Sequence, residues 1–492
     1  MTVNEYLKII DEVNENGKYK PTVESLEAYP YPQWFEDAKF GIFMHWGVYS
    51  VPAFFNEWYE RLMYYKGNPT HWHHLVKYGK SFNYKDFIPM FKAEKFDADK
   101  WLSFFEECNV RFIMPVGEHH DGFKMYGSEL CRWNAAQMGP KRDLLGELKA
   151  ASERRGIEFC TSSHRAEHYW FPNGGKTVGY DNDTFKEEYR DFYGPCFNPY
   201  KRNNLITNLK QEKEGMIPSE EWLDDWLASS CELIDKYKPS ALFFDWWVSS
   251  CEAFVPYTLR FAAYYCNRSR EWGKNICIFY KSDKLKSNCF VLDRERTQLE
   301  EIYPKVWQCE TASAHNAWSY CTTNIFKKSN EIAGTFADCI SKRGTFCLNL
   351  GPKADGTICD REIEIMRDLG EWTTKNKEAI WGIHPYKVFG EGRQYTGGLY
   401  REKYNFKSTD IRITARDNAI YVFALAQAKD NTYRIKVLGK NAGHLTEKIK
   451  WVSVLGYKVD CAYCHKGEYL ALKTEKHIDT KMPICFKIEL EK

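Results

Sequence analysis

From Lys39 to about Gly382, short apolar runs alternate with stretches whose apolar residues recur every three or four positions. The runs KFGIFMHW (39–46), RFIMPV (111–116), IEFCTSS (157–163), ALFFDWW (241–247), ICIFYK (276–281), FVLD (290–293), VWQCE (306–310) and TFCLNLG (345–351) predict eight strands. Between many of them lie helical patterns with proper ends. In GPKRDLLGELKAASERRG, Leu144, Leu145, Leu148 and Ala151 share one face and Gly156 stops the helix. PSEEWLDDWLASSCELIDKYKP opens on Ser219 and two acids and closes on Lys236, Lys238 and Pro239, which suits the helix dipole at both ends. NEIAGTFADCISKRG and DREIEIMRDLGEWTTKNKEAIWG are further amphipathic helices.

Alternation of this kind predicts an α/β protein with a (β/α)8-like barrel over residues 1–384, preceded by a helical extension. The connections between the fifth and seventh strands are short for full helices, so the barrel is expected to be irregular there. From HPYKVFGEG onward the texture changes to short strands separated by turns, such as DIRITARDNAIYVFALA, YRIKVLG and MPICFKIEL. That half-alternating pattern predicts a C-terminal antiparallel β-sandwich over 385–492. The aromatic stretch from His164 to Pro218 reads as a loop inserted after the third strand.

Composition narrows the function. With 69 basic and 67 acidic residues the net charge is +2, which argues against nucleic acid as the main partner. No apolar run reaches membrane-span length and the N-terminus is not a signal peptide, so the chain reads as cytoplasmic, unless an export signal has been trimmed. The seventeen cysteines are scattered without CxxC clusters and read as buried, reduced thiols. Aromatic residues make up 16% of the chain, with seventeen Trp, enough for a well-packed core or for a ring-walled carbohydrate cleft.

Barrel chemistry gathers at the carboxyl ends of the strands. There the chain places His45-Trp46, Glu118-His119-His120-Asp121, His164-Arg165 with Glu167 and His168, Asp245, Lys281 and Glu295. A metal is disfavoured: His119 and His120 are adjacent, so on a regular strand they diverge, and Arg165 beside His164 repels a cation. Adjacent histidines suit two hydroxyls of one ligand better. Asp245 ends a buried run and is costly there unless hydrogen-bonded, which marks it as functional rather than accidental. Glycoside chemistry needs a second acid. Glu57, Glu118, Glu295, Glu300, Glu301 and Glu310 are candidates that spacing alone does not rank.

Taken together, WFEDAKFGIFMHWGVYSVPAFFNEWY, EHHDGF, GPKRDLLGEL, ELIDKYKPSALFFD, LNLGPKADGTI and NKEAIWGIHPY resemble the α-L-fucosidases of glycoside hydrolase family 29, in order from about Trp34 to Tyr386. The resemblance implies a retaining exo-α-L-fucosidase that cuts terminal fucose from fucosylated glycans, with an aspartate nucleophile, a glutamate acid/base and neither metal nor cofactor. It puts the nucleophile on Asp245 and sugar contacts on His45, Glu57, Trp58, His119 and His120; His164, at the end of the third strand, joins them as a candidate. The acid/base position is poorly preserved in the family. A segment like DRERTQL points to Glu295, although Thr297 stands where a glycine is common; VWQCET carries Gln308 where some members have the glutamate, leaving Glu310 as the alternative. Glu295 is preferred because it follows FVLD, on a loop just past a strand end. Phe243-Phe244 before the nucleophile and Tyr126 in DGFKMY also depart from the usual pattern. Two other functions compete: a glycan-binding protein on the same fold with weakened catalysis, and a metal-dependent barrel hydrolase.

Overall fold

Eight parallel strands close into a ring: β1 (Phe40–Met44), β2 (Phe112–Glu118), β3 (Glu158–Ser163), β4 (Ala241–Phe244), β5 (Cys277–Tyr280), β6 (Phe290–Glu295), β7 (Trp307–Ala312) and β8 (Gly344–Leu350). The ring is sealed by β1, which pairs with β2 on one side and β8 on the other. This computed structural model describes residues 1–169, 171, 186–193, 217–282, 284–285, 287–396, 402 and 404–491. Most of the expected His164–Pro218 loop therefore lies outside the described residues.

Local signals act as expected at the helix ends. Asp143 caps the helix Leu144–Arg155 by accepting from Gly146 N, and Gly156 ends it in the left-handed conformation at φ 63°. Ser219 caps Glu220–Tyr237 by accepting from Trp222 N. Among the described residues no helix separates β5 from β6 or β6 from β7, which is the irregularity that the short connections predict. Strands β6 and β7 each run two residues beyond the apolar runs FVLD and VWQCE, because ladder pairing continues through Arg294–Cys309 and Glu295–Glu310 for β6 and through Thr311–Leu348 and Ala312–Asn349 for β7. Polar residues stay in a strand when the neighbouring backbone offers partners; the apolar run marks only where the barrel wall is dry.

Rings fill the barrel. Phe43, Phe112, Met114, Phe243, Phe279 and Val291 point inward, and Phe35 from the helix Gln33–Ala38 plugs the amino end, its ring 5.5 Å from Phe112 and 4.8 Å from Phe279. A floor this well packed leaves the carboxyl end as the open face. The helix Val3–Asn16 lies on the outside, where Tyr6 donates to Asp235 at 3.0 Å and Asn14 to the Arg260 carbonyl at 3.0 Å. No described helix is long and apolar enough to cross a membrane. Most of the described cysteines are buried.

Beyond residue 383 the chain forms two antiparallel sheets, one ordered β13-β16-β11-β10-β9 and one ordered β12-β15-β14, where β9 is His384–Glu391, β10 Ile411–Arg416, β11 Ala419–Ala424, β12 Thr432–Ile435, β13 Ile449–Val454, β14 Cys461–His465, β15 Leu470–Thr474 and β16 Ile484–Leu490. Ile413, Val422 and Phe486 of the first sheet share a core with Tyr433, Leu470 and Leu472 of the second, as sandwich faces do.

The sandwich is bolted to the barrel by charge as well as by packing. Arg412 on β10 and Lys342 both bind Oδ1 of Asp338, on the helix Ser329–Ser341, and all three side chains are fully buried. Asp338→Ala would leave two buried cations without their anion. That substitution should lower unfolding free energy by about 3–5 kcal/mol, measurable by denaturant melts of the full chain; a loss under about 1 kcal/mol would mean that the pair is not buried as described.

Candidate active site

At the carboxyl end of the ring four histidines and one aspartate meet above Phe43 and Phe243. His45 leaves β1 with its backbone N–H bonded to the Leu350 carbonyl at 3.1 Å, and its Nδ1 lies 2.6 Å from Oδ1 of Asn349. Asn349 is oriented in turn by donating to the Trp318 carbonyl at 2.6 Å. The amide oxygen only accepts, so His45 carries its hydrogen on Nδ1 and turns a bare Nε2 away from Asn349.

His119 and His120 do not diverge as on a regular strand, because β2 ends at Glu118 and both leave in a turn. Their rings lie 4.3 Å apart at a tilt of 37°. The turn closes through Gly122, at φ +76°, where a Cβ would come within 2.6 Å of the His168 ring. Burial keeps these imidazoles neutral: His45 and His119 fall well below the usual range, and His120 falls to about 4 even though Asp245 pulls the other way.

Asp245 follows β4 and is held at both oxygens. Oδ1 accepts from Trp246 N at 2.8 Å; Oδ2 is 3.2 Å from Nε2 of His120 and 3.2 Å from Nδ1 of His164. Nζ of Lys281 stands 3.6 Å from Oδ1. Burial alone would raise its pKa, but the two histidine contacts and Lys281 hold it well below the carboxylate range. An ionised carboxylate on a mostly covered strand end is a group prepared to attack.

Lys281, directly after β5, stands among the strand ends in the sequence but was given no role there. Its Nζ contacts Oε2 of Glu295 at 2.8 Å, Oε1 of Glu310 at 2.8 Å and Oδ2 of Asp293 at 3.2 Å, besides Asp245. A lone lysine after ICIFY was visible as a polar strand end, but its four partners are distant in sequence. Glu295 is not on a loop: it is the last residue of β6, in register with Glu310 on β7. The two differ in access. The Glu295 side chain is 20% exposed, whereas that of Glu310 is 2% exposed, its proton affinity raised well above normal by burial and by Asp293, with Lys281 opposing.

The remaining candidates sort by contact. Glu57 is buried and accepts from Trp318 N at 2.8 Å, which braces the Trp318 ring 5.2 Å from His45. The Trp58 ring lies 6.0 Å from His120 and 5.2 Å from Phe171. Glu118 is turned away and spent on Arg165 at 2.6 Å and Lys124 at 3.2 Å. Glu300 and Glu301 are exposed. Arg165, which was expected to repel a cation near His164, instead points at Glu118 and Asp225.

Three groupings carry donors of the kind metals take: His45, His119 and His164; His120, His164 and Asp245; and Glu60, His119 and His120. The first two both need His164, whose Nδ1 faces Asp245 and whose Nε2 is 3.2 Å from the Ser162 hydroxyl, so neither ring nitrogen is free for a metal. The third is taken up below.

A model of the alpha-L-fucosidase family matches residues 7–378. Tissue alpha-L-fucosidase from Mus musculus is 28% identical over 389 residues, covering 76% of this chain and 76% of its own length. The Homo sapiens tissue enzyme is 25% identical over 471 residues, covering 92% of this chain and 88% of its own. The alpha-fucosidase structure from Thermotoga maritima superposes with a TM-score of 0.75 at 24% identity, over 96% of this chain and all of that one.

One prediction needs no substrate. His120 should remain uncharged until pH falls to about 4. Its imidazole C–H resonances, assigned by comparison with His120→Asn and followed by NMR against pH, should show that midpoint; titration near the ordinary value of about 6.5 would contradict the burial described.

Proposed function

The chain belongs to the α-L-fucosidase family, and we propose that it works as a retaining exo-α-L-fucosidase in which Asp245 is the nucleophile and Glu295 the general acid/base. The observation that carries this reading is the reach of Lys281. Because its Nζ touches Oε2 of Glu295 at 2.8 Å and stands 3.6 Å from Oδ1 of Asp245, those two oxygens are separated by at most the sum of the two distances. That bound sits at the short edge of the roughly 6.5–9.5 Å an inverting pair needs to seat a water and accommodates the roughly 5–5.5 Å of a retaining pair.

The substrate follows from the walls. Fucose offers hydroxyls on one side and a C5 methyl group, so it needs imidazole and carboxylate partners beside an aromatic surface. His45, with a bare Nε2, and His119 supply the first; Trp58, Trp318 and Phe171 supply the second.

One glutamate serves as acid and then as base. Attack makes an ester: the Asp245 oxygen bonds to the anomeric carbon, the glycosidic C–O bond breaks, and Glu295 hands its proton to the leaving oxygen. The ester takes the charge off Asp245, and Glu295 then takes a proton from the water that opens the ester. Glu310, buried on the next strand, serves as the fixed partner of the lysine.

Two experiments test the assignment. Asp245→Gly should lose nearly all turnover on an aryl α-L-fucoside and regain part of it with azide, which fills the vacated side as an external nucleophile; near-normal turnover without azide would refute the role. Glu295→Ala should be crippled on fucosyl oligosaccharides yet spared, in its first step, on fucosides whose leaving group needs no proton. If Glu310→Ala shows that pattern and Glu295→Ala does not, the roles are exchanged.

A further inference from the structure

Behind the paired histidines lies a carboxyl group that the mechanism above does not use. Glu60, on the short helix Tyr59–Leu62, is 1% exposed, and neither of its oxygens has a hydrogen-bond partner. Nδ1 of His119 and Nδ1 of His120 are also buried and unpartnered. One Glu60 oxygen and one ring nitrogen from each histidine all lie within 4.8 Å of one another. Three groups that each need a partner thus converge on one point, remote from solvent.

The hydrogens along the nucleophile decide which of them gives a proton. Oδ2 of the ionised Asp245 only accepts, so the His120 nitrogen facing it at 3.2 Å, Nε2, carries the hydrogen. A neutral ring then has a bare Nδ1 on its far side, and that is the His120 nitrogen left without a partner beside the equally unpartnered Glu60 carboxyl. An ionised Glu60 would set lone pair against lone pair there; a carboxylic acid would donate.

We propose that Glu60 is a positioning residue whose protonated carboxyl donates to Nδ1 of His120, directly after a small side-chain rotation or through one water, and so locks the Nε2–H tautomer that His120 directs at Asp245. The carbonyl oxygen of the same acid can accept from Nδ1–H of His119, so one neutral carboxyl satisfies both rings. The surroundings agree. Burial first, then the charges of Asp121 and Glu57, push the proton affinity of Glu60 well above normal, with Arg61 opposing; the other titratable neighbours are Tyr49, Tyr84 and the two neutral histidines. Asp121 is itself raised to about 7 by burial, even with the Tyr84 hydroxyl donating to it at 2.8 Å.

This inference rests on Asp245 as nucleophile, but one arm of its test does not. Infrared spectra of the wild-type protein minus Glu60→Gln at pH 7 should show a carbonyl band of a protonated carboxylic acid, whether or not Asp245 attacks. In kinetics, Glu60→Leu removes the donor; loss of the charge-assisted contact to Asp245 should lower kcat/KM on the order of tenfold and move the acid limb of its pH profile upward, because Asp245 then protonates more readily. Glu60→Gln keeps an N–H donor and should leave the acid limb in place. No carboxylic-acid band, or equal movement of the acid limb in both variants, would overturn the proposal. So would one-to-one binding of added zinc that Glu60→Gln abolishes, which would make the trio a metal site. If Glu60→Leu does not fold, the infrared difference decides alone.

Discussion

The active end of this barrel depends on one buried ammonium group. Parallel strands in register bring their carboxyl ends to the same level, and here β4, β6 and β7 deliver Asp245, Asp293, Glu295 and Glu310 to one side of the ring. Without a cation those carboxylates would repel one another, and Asp245 would keep its contacts with His120 and His164 but lose the charge that also holds its proton affinity down. Lys281 reaches all four. A buried charge costs several kcal/mol to desolvate, so the lysine is tolerable only because it is saturated with partners, and they only because of it. Site and strand ends are one electrostatic unit.

Around that unit the protein fixes geometry by anchoring each neighbour a second time. Arg296, next to Glu295 in the chain, donates to the carbonyls of Ala314 and His315 and to Glu402, and its guanidinium lies 4.8 Å from the Trp318 ring. Glu402 also accepts from Thr311 on β7 and pairs with Lys327. The β6 end, the β7 end and the Trp318 wall are thereby tied to a residue between β9 and β10 of the sandwich. Repeated anchoring of this sort preorganises a site, since each side chain is held by packing before substrate arrives.

The strands, the barrel and the position of Asp245 at a strand end were legible because their signals are local. Apolar runs of strand length, caps at Ser219 and Gly156, and an acid ending ALFF are properties of neighbouring residues. What was not legible depends on distance across the fold. FVLD stops where the wall stops being dry, but pairing with β7 carries the strand on to Glu295, so the glutamate judged to be on a loop is fixed in the ladder. Glu118 looked available until Arg165 and Lys124 arrived from other segments to claim it. Lys281 looked like a strand-end cap, and Glu60 like the polar side of EWYERL; burial and partners, not residue type, give each its part.

The same reasoning explains why histidines, and not lysines or arginines, line the rest of the cavity. Lys281 already supplies a positive charge within 3.6 Å of Asp245. A second fixed cation touching Oδ2 would lower the energy of the carboxylate further and make it a poorer nucleophile, since the attack must give that charge up. Imidazoles can donate one hydrogen bond each to Oδ2 without a fixed charge, His120 through Nε2 and His164 through Nδ1, with the opposite nitrogen of His164 beside the Ser162 hydroxyl. Burial, which keeps His45, His119 and His120 uncharged, is thus the condition that lets a charged lysine and a reactive aspartate share one pocket.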